Sequence, residues 1–187
     1  MILAAGASTR MGRPKALIEW QGRPFFMHCA QRAAAAGCSP RVVVWGATAL
    51  PERSDVVLVE NPRWQDGPLS SLQRGLEAVL PGEPSGVLVM TVDRPHVRPP
   101  TLEALLEAHA KHPEVLVQPR LGETSGHPLL YPVGIAAQLL ALEPTGTVRT
   151  VLHSPQVRGR RVRVAVDDPA VLDNLDSPGA LARLPSR

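Results

Sequence analysis

The sequence predicts an α/β fold built on a mostly parallel sheet with helices on both faces. Three observations point to it. Short apolar runs without polar alternation, Val42–Trp45 and residues 56–59 and 86–92, read as strands buried on both faces. Intervening segments carry apolar residues at helical spacing, such as Leu69, Leu72, Leu76 and Val79. The two kinds of segment alternate, as βαβ units do.

In chain order, residues 1–4 read as the end of a short strand, and residues 5–13, small, polar and basic, as a loop. Pro24 starts a helix through an alanine-rich stretch to Gly37, a good C-terminal stop. After the strands at 42–45 and 56–59, a helix is expected over 68–80. The strand at 86–92 ends on Asp93, where Arg94-Pro95 breaks the structure. Pro99 and Pro100 precede a helix carrying Leu102, Leu105, Leu106 and His109. Strands are expected at 115–117 and 129–131, the second reached through a polar loop over 122–127, and a helix over 133–142 follows. Residues 162–166 alternate with Arg161 and Arg163 and read as a half-exposed strand. The basic run from Arg158 to Arg163 then reads as an edge strand protected by charge, with binding of nucleic acid or of a phosphorylated acceptor as the alternative. Asp167-Asp168 reads as a solvated turn, and residues 178–184 as a short closing helix.

A chain of 187 residues suits one domain spanning 1–187 and needs no disulfide or structural metal to fold. The surplus of 20 Lys+Arg over 17 Asp+Glu is too small to argue for nucleic acid, and no aromatics interleave with the arginines, but it is compatible with small anions. Cys29 and Cys38 read as reduced thiols. With no signal segment and no apolar stretch long enough for a bilayer, a soluble cytoplasmic protein is expected, with neither nucleic acid nor membrane as partner.

The chemistry concentrates first in Leu3-Ala4-Ala5-Gly6-Ala7-Ser8-Thr9-Arg10-Met11-Gly12-Arg13-Pro14-Lys15. Small residues let the backbone approach a ligand, and Gly6 and Gly12 permit dihedrals that other residues avoid. Exposed N–H groups in such a loop cradle phosphate oxygens, and Arg10 and Lys15 add positive charge. Neither Gly-Lys-Ser/Thr nor Gly-x-Gly-x-x-Gly occurs, which counts against a Walker loop and a nicotinamide-dependent oxidoreductase. Asp93 stands at the carboxyl end of a buried strand, where open α/β sheets bind ligands, and offers the oxygen a hard cation wants.

The segment resembles the signature loop of the MobA-like nucleoside-triphosphate transferases, because Leu-Ala-Ala-Gly, Arg-Met-Gly and Pro-Lys occur in order. Further resemblances are Asn61-Pro62-Arg63-Trp64 with Gly67 and Ser70-Ser71-Leu72, then Asp93-Arg94-Pro95, Gly126-His127-Pro128, and Asn174-Leu175-Asp176-Ser177-Pro178. The nearest pattern is the molybdenum cofactor cytidylyltransferase branch. The resemblance implies a Rossmann-like three-layer sandwich of the nucleotide-diphospho-sugar transferase type, and a magnesium-dependent nucleotidyltransferase. It implies that backbone groups of Leu3, Ala4 and Ala5 face the base, that Gly6 meets sugar and phosphates, and that Asn61, Gly67, Ser70 and Ser71 border the nucleoside. Arg10, Lys15 and Asp93 are then the catalytic groups. Mg2+ sits on Asp93 with Asn174 or Asp176, and His127 touches the acceptor.

The sequence departs from the family's pattern in three places. Met1 stands almost on the first motif, so the true start lies upstream or the central strand is clipped. Thr145 replaces the Asp of the branch's Gly-Asp-x-Gly-x-Arg, and Asn174 replaces an Asp. The expected reaction is transfer of CMP from CTP to a phosphorylated acceptor, molybdopterin-type cofactor, with release of pyrophosphate. Ala5 and Pro14 favour CTP, since guanylyl-transferring relatives more often carry Leu-Ala-Gly-Gly and Asp-Lys. The alternatives are guanylyl transfer, transfer to a sugar phosphate or phospho-acid, and a non-catalytic nucleotide-binding escort. A molybdoenzyme or its chaperone is the partner expected to receive the product, from a monomer or weak dimer.

Overall fold

The computed structural model describes residues 1–143, 146–182 and 184. Among these described residues, ten strands and seven α-helices follow in order: β1 (Ile2–Leu3), β2 (Glu19–Trp20), β3 (Arg23–Pro24), α1 (Phe25–Ala35), β4 (Val42–Trp45), β5 (Val57–Glu60), α2 (Pro68–Val79), β6 (Gly86–Thr91), α3 (Pro99–Lys111), β7 (Leu116–Leu121), β8 (Thr124–Ser125), β9 (Leu129–Pro132), α4 (Val133–Leu140), α5 (Val148–Leu152), α6 (Pro155–Arg158), β10 (Arg161–Ala165) and α7 (Pro178–Leu181).

The main sheet runs β10-β7-β9-β6-β1-β4-β5, with β8 paired to β7. β1 lies parallel between β4 and β6, β4 is parallel to β5, and β10 is parallel to β7. β9 runs antiparallel to both β6 and β7. The mostly parallel α/β expectation therefore holds, with β9 and the short β8 reversed. Burial on both faces explains the apolar runs. Val43, Leu88, Met90 and Leu130 face the layer of α1 and α3 with Phe25, Phe26 and Leu105. Val42, Val44, Val87, Val89, Leu129 and Tyr131 face the layer of α2 and α4 with Leu72, Leu76 and Leu139. This alternation, two residues per repeat, makes three layers from one continuous sequence signal.

Several elements differ from the sequence reading. The loop over 5–13 holds a 3-10 turn, Thr9–Met11, whose Met11 is buried and anchors it to the core. A hairpin, β2 with β3, precedes α1, and two short helices, α5 and α6, stand where no element was expected. They carry ordinary start signals, Thr147 accepting from the Thr150 N–H and Ser154 from the Val157 N–H, but each is too short to show periodicity. The closing helix ends at Leu181; Arg183 lies outside the described residues, as do Pro144 and Thr145 of the substituted Gly-Asp element. β10 is the terminal strand of the sheet, where a charged edge was expected.

The most informative correction is Asp168. It is buried, 2% exposed, rather than solvated. Its carboxylate accepts from the Arg98 backbone N–H (2.9 Å), the Thr101 hydroxyl (2.7 Å) and the Ala170 N–H (3.2 Å). It therefore ties the start of α3 to the segment after β10. Beyond it, His96 Nε2 lies 3.3 Å from Asp173 Oδ2, and the Leu175 N–H donates to the Asp93 carbonyl at 3.0 Å. This segment is thereby laid across the carboxyl ends of β1 and β6.

Candidate functional site

The chain leaves β1 toward α1 on one side of the sheet and later returns to β6 on the other. That reversal opens a crevice at the carboxyl ends of β1 and β6. A cleft of about 440 Å³ lies there. Its wall combines the loop after β1, the turn before α2, the residues after β6, and Asp176.

The loop is set by backbone geometry. Ser8 takes a left-handed conformation (φ 55°), and its hydroxyl accepts from the Lys15 N–H at 3.0 Å, closing the loop on its far end. Gly12 also has positive φ (65°), as expected. Gly6 does not, and a Cβ built there would meet nothing. The absent side chain at Gly6 thus leaves room along the cleft rather than relieving a turn. Three backbone groups of this strand end are already committed: the Leu3 carbonyl to Val92 N–H, the Ala4 N–H to the Val44 carbonyl, and the Ala5 carbonyl to Ala47 N–H.

The charged centre is compact. Lys15 Nζ donates to Asp176 Oδ1 at 2.5 Å and lies 3.9 Å from Asp93 Oδ2. Arg10 reaches Asp176 Oδ2 at 3.2 Å. The side chains of Lys15, Asp93 and Asp176 are 17%, 16% and 25% exposed, while Arg10 is 75% exposed. The hydrogen bond from Lys15 holds the Asp176 carboxyl below its usual range, against partial burial and with help from the charges of Lys15 and Arg10. Asp93 is oriented from its other oxygen: the Thr91 hydroxyl donates to Oδ1 at 2.6 Å, and Arg94 Nη1 donates to Thr91 Oγ1 at 2.7 Å and lies 3.3 Å from Asp93 Oδ1. Nothing local in the sequence marks Thr91 or Arg94 as site residues rather than ordinary strand-end polar residues.

Not every expected residue reaches the wall. Leu3, Ala4, Ala5, Gly6, Arg10, Lys15, Gly67, Ser71, Asp93 and Asp176 line the cleft. Asn61 and Ser70 lie behind it. The Asn61 amide donates to Ser70 Oγ (2.9 Å) and Ser71 Oγ (3.0 Å), and its Oδ1 accepts from the Arg63 N–H. This knot fixes the turn through Gly67 (φ 100°) onto the start of α2, and so places Ser71. Asn174 is exposed and stands off the cleft wall, whereas Asp176 is on it. His127 lines a neighbouring cavity; burial, then the charge of Arg94, pushes its imidazole down to about 4, so it is neutral at physiological pH.

A hard divalent cation shared with a phosphate chain needs few protein oxygens. Asp93 and Asp176, which converge on the Lys15 ammonium, could supply them. Among the described residues no group of three or more His, Cys, Asp or Glu forms a self-sufficient metal cage. The arrangement thus suits a cation that arrives with, or is completed by, phosphate oxygens.

The MobA-like NTP transferase domain matches residues 1–167 of the chain. A molybdenum cofactor guanylyltransferase of Pseudomonas syringae pv. tomato is 30% identical over 97% of this chain and 90% of its own. A probable molybdenum cofactor guanylyltransferase of Bacillus cereus is 32% identical over 63% of this chain, which spans 59% of that relative's length. In structure, the chain resembles Rv0371c of Mycobacterium tuberculosis H37Rv, at TM-score 0.75 and 26% identity over 98% of this chain and 95% of that one. Rv0371c has also been solved in complex with manganese, at TM-score 0.71 with the same identity and coverage. A nucleotidyl transferase from Methanothermobacter thermautotrophicus shares the fold, at TM-score 0.79 and 23% identity over 98% of this chain and 93% of its own.

Proposed function

The chain belongs to the MobA-like NTP transferase family, and from that premise we propose that residues 1–187 form one nucleotidyltransferase domain that transfers a nucleoside monophosphate to a phosphorylated acceptor. The observation that carries this reading is the Lys15 ammonium held between Asp93 and Asp176 at the lip of a cleft floored by a glycine loop. Charges arranged in this way neutralise a triphosphate and the pyrophosphate that leaves it.

In this reaction a terminal phosphate oxygen of the acceptor attacks the α-phosphorus in line. The new P–O bond forms as the bond from the α-phosphorus to the bridging oxygen of pyrophosphate breaks. No protein nucleophile is needed; positioning and electrostatics carry the rate. Arg10 and Lys15 hold the phosphate chain, Ser71 and Gly67 border the nucleoside, and Gly6 leaves space for the sugar and phosphates. The triphosphate takes over the contacts that Asp176 makes with Arg10 and Lys15. Asp93 and Asp176 would hold Mg2+, which adds charge neutralisation at the phosphate oxygens. Thr91 and Arg94 keep the Asp93 carboxylate aimed into the cleft.

The acceptor we favour is a molybdopterin-type cofactor, and the donor CTP, on the pattern of Ala5 and Pro14. A second reading, guanylyl transfer, is favoured by the names of the Pseudomonas and Bacillus relatives. Thermal unfolding with CTP, GTP, UTP and ATP, each with and without magnesium, separates them. A ligand at about a hundred times its dissociation constant adds roughly 2.7 kcal/mol to stability. The largest magnesium-dependent shift is expected with CTP; a larger one with GTP moves the reading to guanylyl transfer. No shift with any nucleotide at millimolar concentration overturns the transferase reading, and a shift without pyrophosphate release in the presence of acceptor leaves an escort protein.

A further inference from the structure

A second cavity, of about 350 Å³, adjoins the first. The two share Leu3, Pro68 and Thr91 in their walls, so they meet at the carboxyl ends of β1 and β6. Their electrostatics differ. In the first cleft the two cations face two carboxylates. The second has a floor of Leu72, Val89, Leu129 and Tyr131, and a rim bearing Arg149, His153 and Arg161, with neither Asp nor Glu among the described residues that line it.

Arg161 is the unusual group. Its guanidinium is held by two neutral acceptors, donating to the Leu152 carbonyl at 2.8 Å and to Gln118 Oε1 at 3.3 Å. Its Nε is buried and accepted by nothing, and among the described residues no carboxylate pairs with it. Partial burial and the neighbouring positive charge of Arg163 both disfavour its charged form. A guanidinium stays charged regardless. An uncompensated charge fixed at the mouth of an apolar cavity costs stability, and the cost is recovered when an anion binds there.

We propose that this second cavity holds the body of the acceptor, and that Arg161 is a specificity-determining residue that recognises an anionic or strongly polarised oxygen at the end of the acceptor far from the reacting phosphate. The inference rests on the transferase reading. It narrows the acceptor to an elongated phosphate monoester: the phosphate enters the first cleft past Thr91, a flat apolar body fills the second cavity, and an oxyanion lies against Arg161. A short phospho-acid or a polyhydroxylated sugar phosphate has no group that matches the floor of Leu129 and Tyr131.

Three probes separate the features: 6-carboxy-2-naphthyl phosphate, 2-naphthyl phosphate and glycerol 3-phosphate. Each is titrated into the full chain with magnesium, and CTP and GTP affinities are measured on the same preparations. The carboxylated naphthyl phosphate is expected to bind about tenfold or more tighter than the plain one, and glycerol 3-phosphate weakest of all. Arg161→Met removes the advantage of the carboxylate, and Arg161→Lys restores part of it, while nucleotide affinity changes less than about twofold. Because Arg161 also fastens Leu152 and Gln118, Val148→Trp at the half-buried wall provides an independent block. It is expected to abolish binding of both naphthyl probes and spare the nucleotide. Equal binding of the two naphthyl phosphates, or an undiminished preference in Arg161→Met, overturns the proposal. If nucleotides bind and no naphthyl probe does, this inference fails alone. If the probes bind and no nucleotide does, the transferase reading fails, and the cavity is a site for an anionic aryl compound rather than for an acceptor.

Discussion

Asp168 and Asp176 sit on the same segment near the C-terminus, each just ahead of a proline, and the fold gives them opposite work. Asp168 is buried, and its carboxylate is saturated by the Arg98 and Ala170 N–H groups and the Thr101 hydroxyl. Asp176 is a quarter exposed and bound to two flexible cations, Lys15 and Arg10. The first set of contacts is buried and includes two backbone N–H groups that no ligand in the cleft reaches. The second is made to side chains that a phosphate chain can take over. Identity of residue type and sequence context therefore says little about role; the mobility of the partners and access to the cleft decide it.

Four perturbations test that contrast. The largest effect is expected for Asp168→Ala, which strands buried donors and should cost roughly 3 kcal/mol. By denaturant unfolding this lowers the transition, and by calorimetry it lowers Tm by roughly 6–12 °C. Nucleotide affinity of the folded fraction stays near the parent's. An Asp168→Ala protein as stable as the parent would mean that the staple is decorative.

Lys15→Ala is the converse. Steady-state turnover should fall about a hundredfold or more while Tm barely moves. Full turnover in that variant removes the phosphate role assigned to Lys15.

Next is His127, in the wall of the second cavity. Its folded pKa of about 4 lies below the ordinary value of 6.5, chiefly through burial. The unfolded chain therefore binds a proton that the native chain refuses. The stability owed to the neutral imidazole is complete above about pH 6.5, declines as the pH falls, and is gone near pH 4. Allowing for partial exposure, the difference is roughly 2 kcal/mol. His28 and His96 are shifted in the same direction, so the test compares parent with His127→Gln. Parallel pH–stability curves for the two proteins would contradict the assignment.

The smallest effect is expected at Asp176. Asp176→Asn releases Lys15 and Arg10, so binding of nucleoside triphosphate without metal should strengthen severalfold, by about 1 kcal/mol, measured by titration calorimetry. The added benefit of magnesium should shrink in the same variant. Unchanged metal dependence would leave Asp93 to hold the cation without Asp176.

Much of the fold was legible because burial leaves a periodic trace. β4, α2 and β6 each bury enough consecutive positions to be read from Val42–Trp45, from Leu69 to Val79, and from the run ending at Asp93. The hairpin of β2 and β3 and the helices α5 and α6 are too short to carry a period, so only their cap and turn residues announce them. At the site, the residues of the loop were legible by type: Arg10, Lys15 and the glycines are what a phosphate cradle needs. Which of them does what was not. Gly6 was expected to relieve backbone strain, yet the left-handed positions are Ser8 and Gly12. Asn61 and Ser70 were expected beside the nucleoside, yet they use their polar groups to lock the turn that presents Ser71.

The order of the longer strands and helices, the two-sided burial of the sheet and the chemical character of the loop after β1 follow from the sequence alone, because these depend on spacing along the chain. Tertiary packing brings Asp176 against Lys15, makes Asp168 a buried staple, and leaves Arg161 facing a cavity whose wall, among the described residues, holds neither Asp nor Glu. Each of those outcomes depends on where distant segments cross, and the crossing is fixed by packing over the whole sheet rather than by the residues adjoining the site.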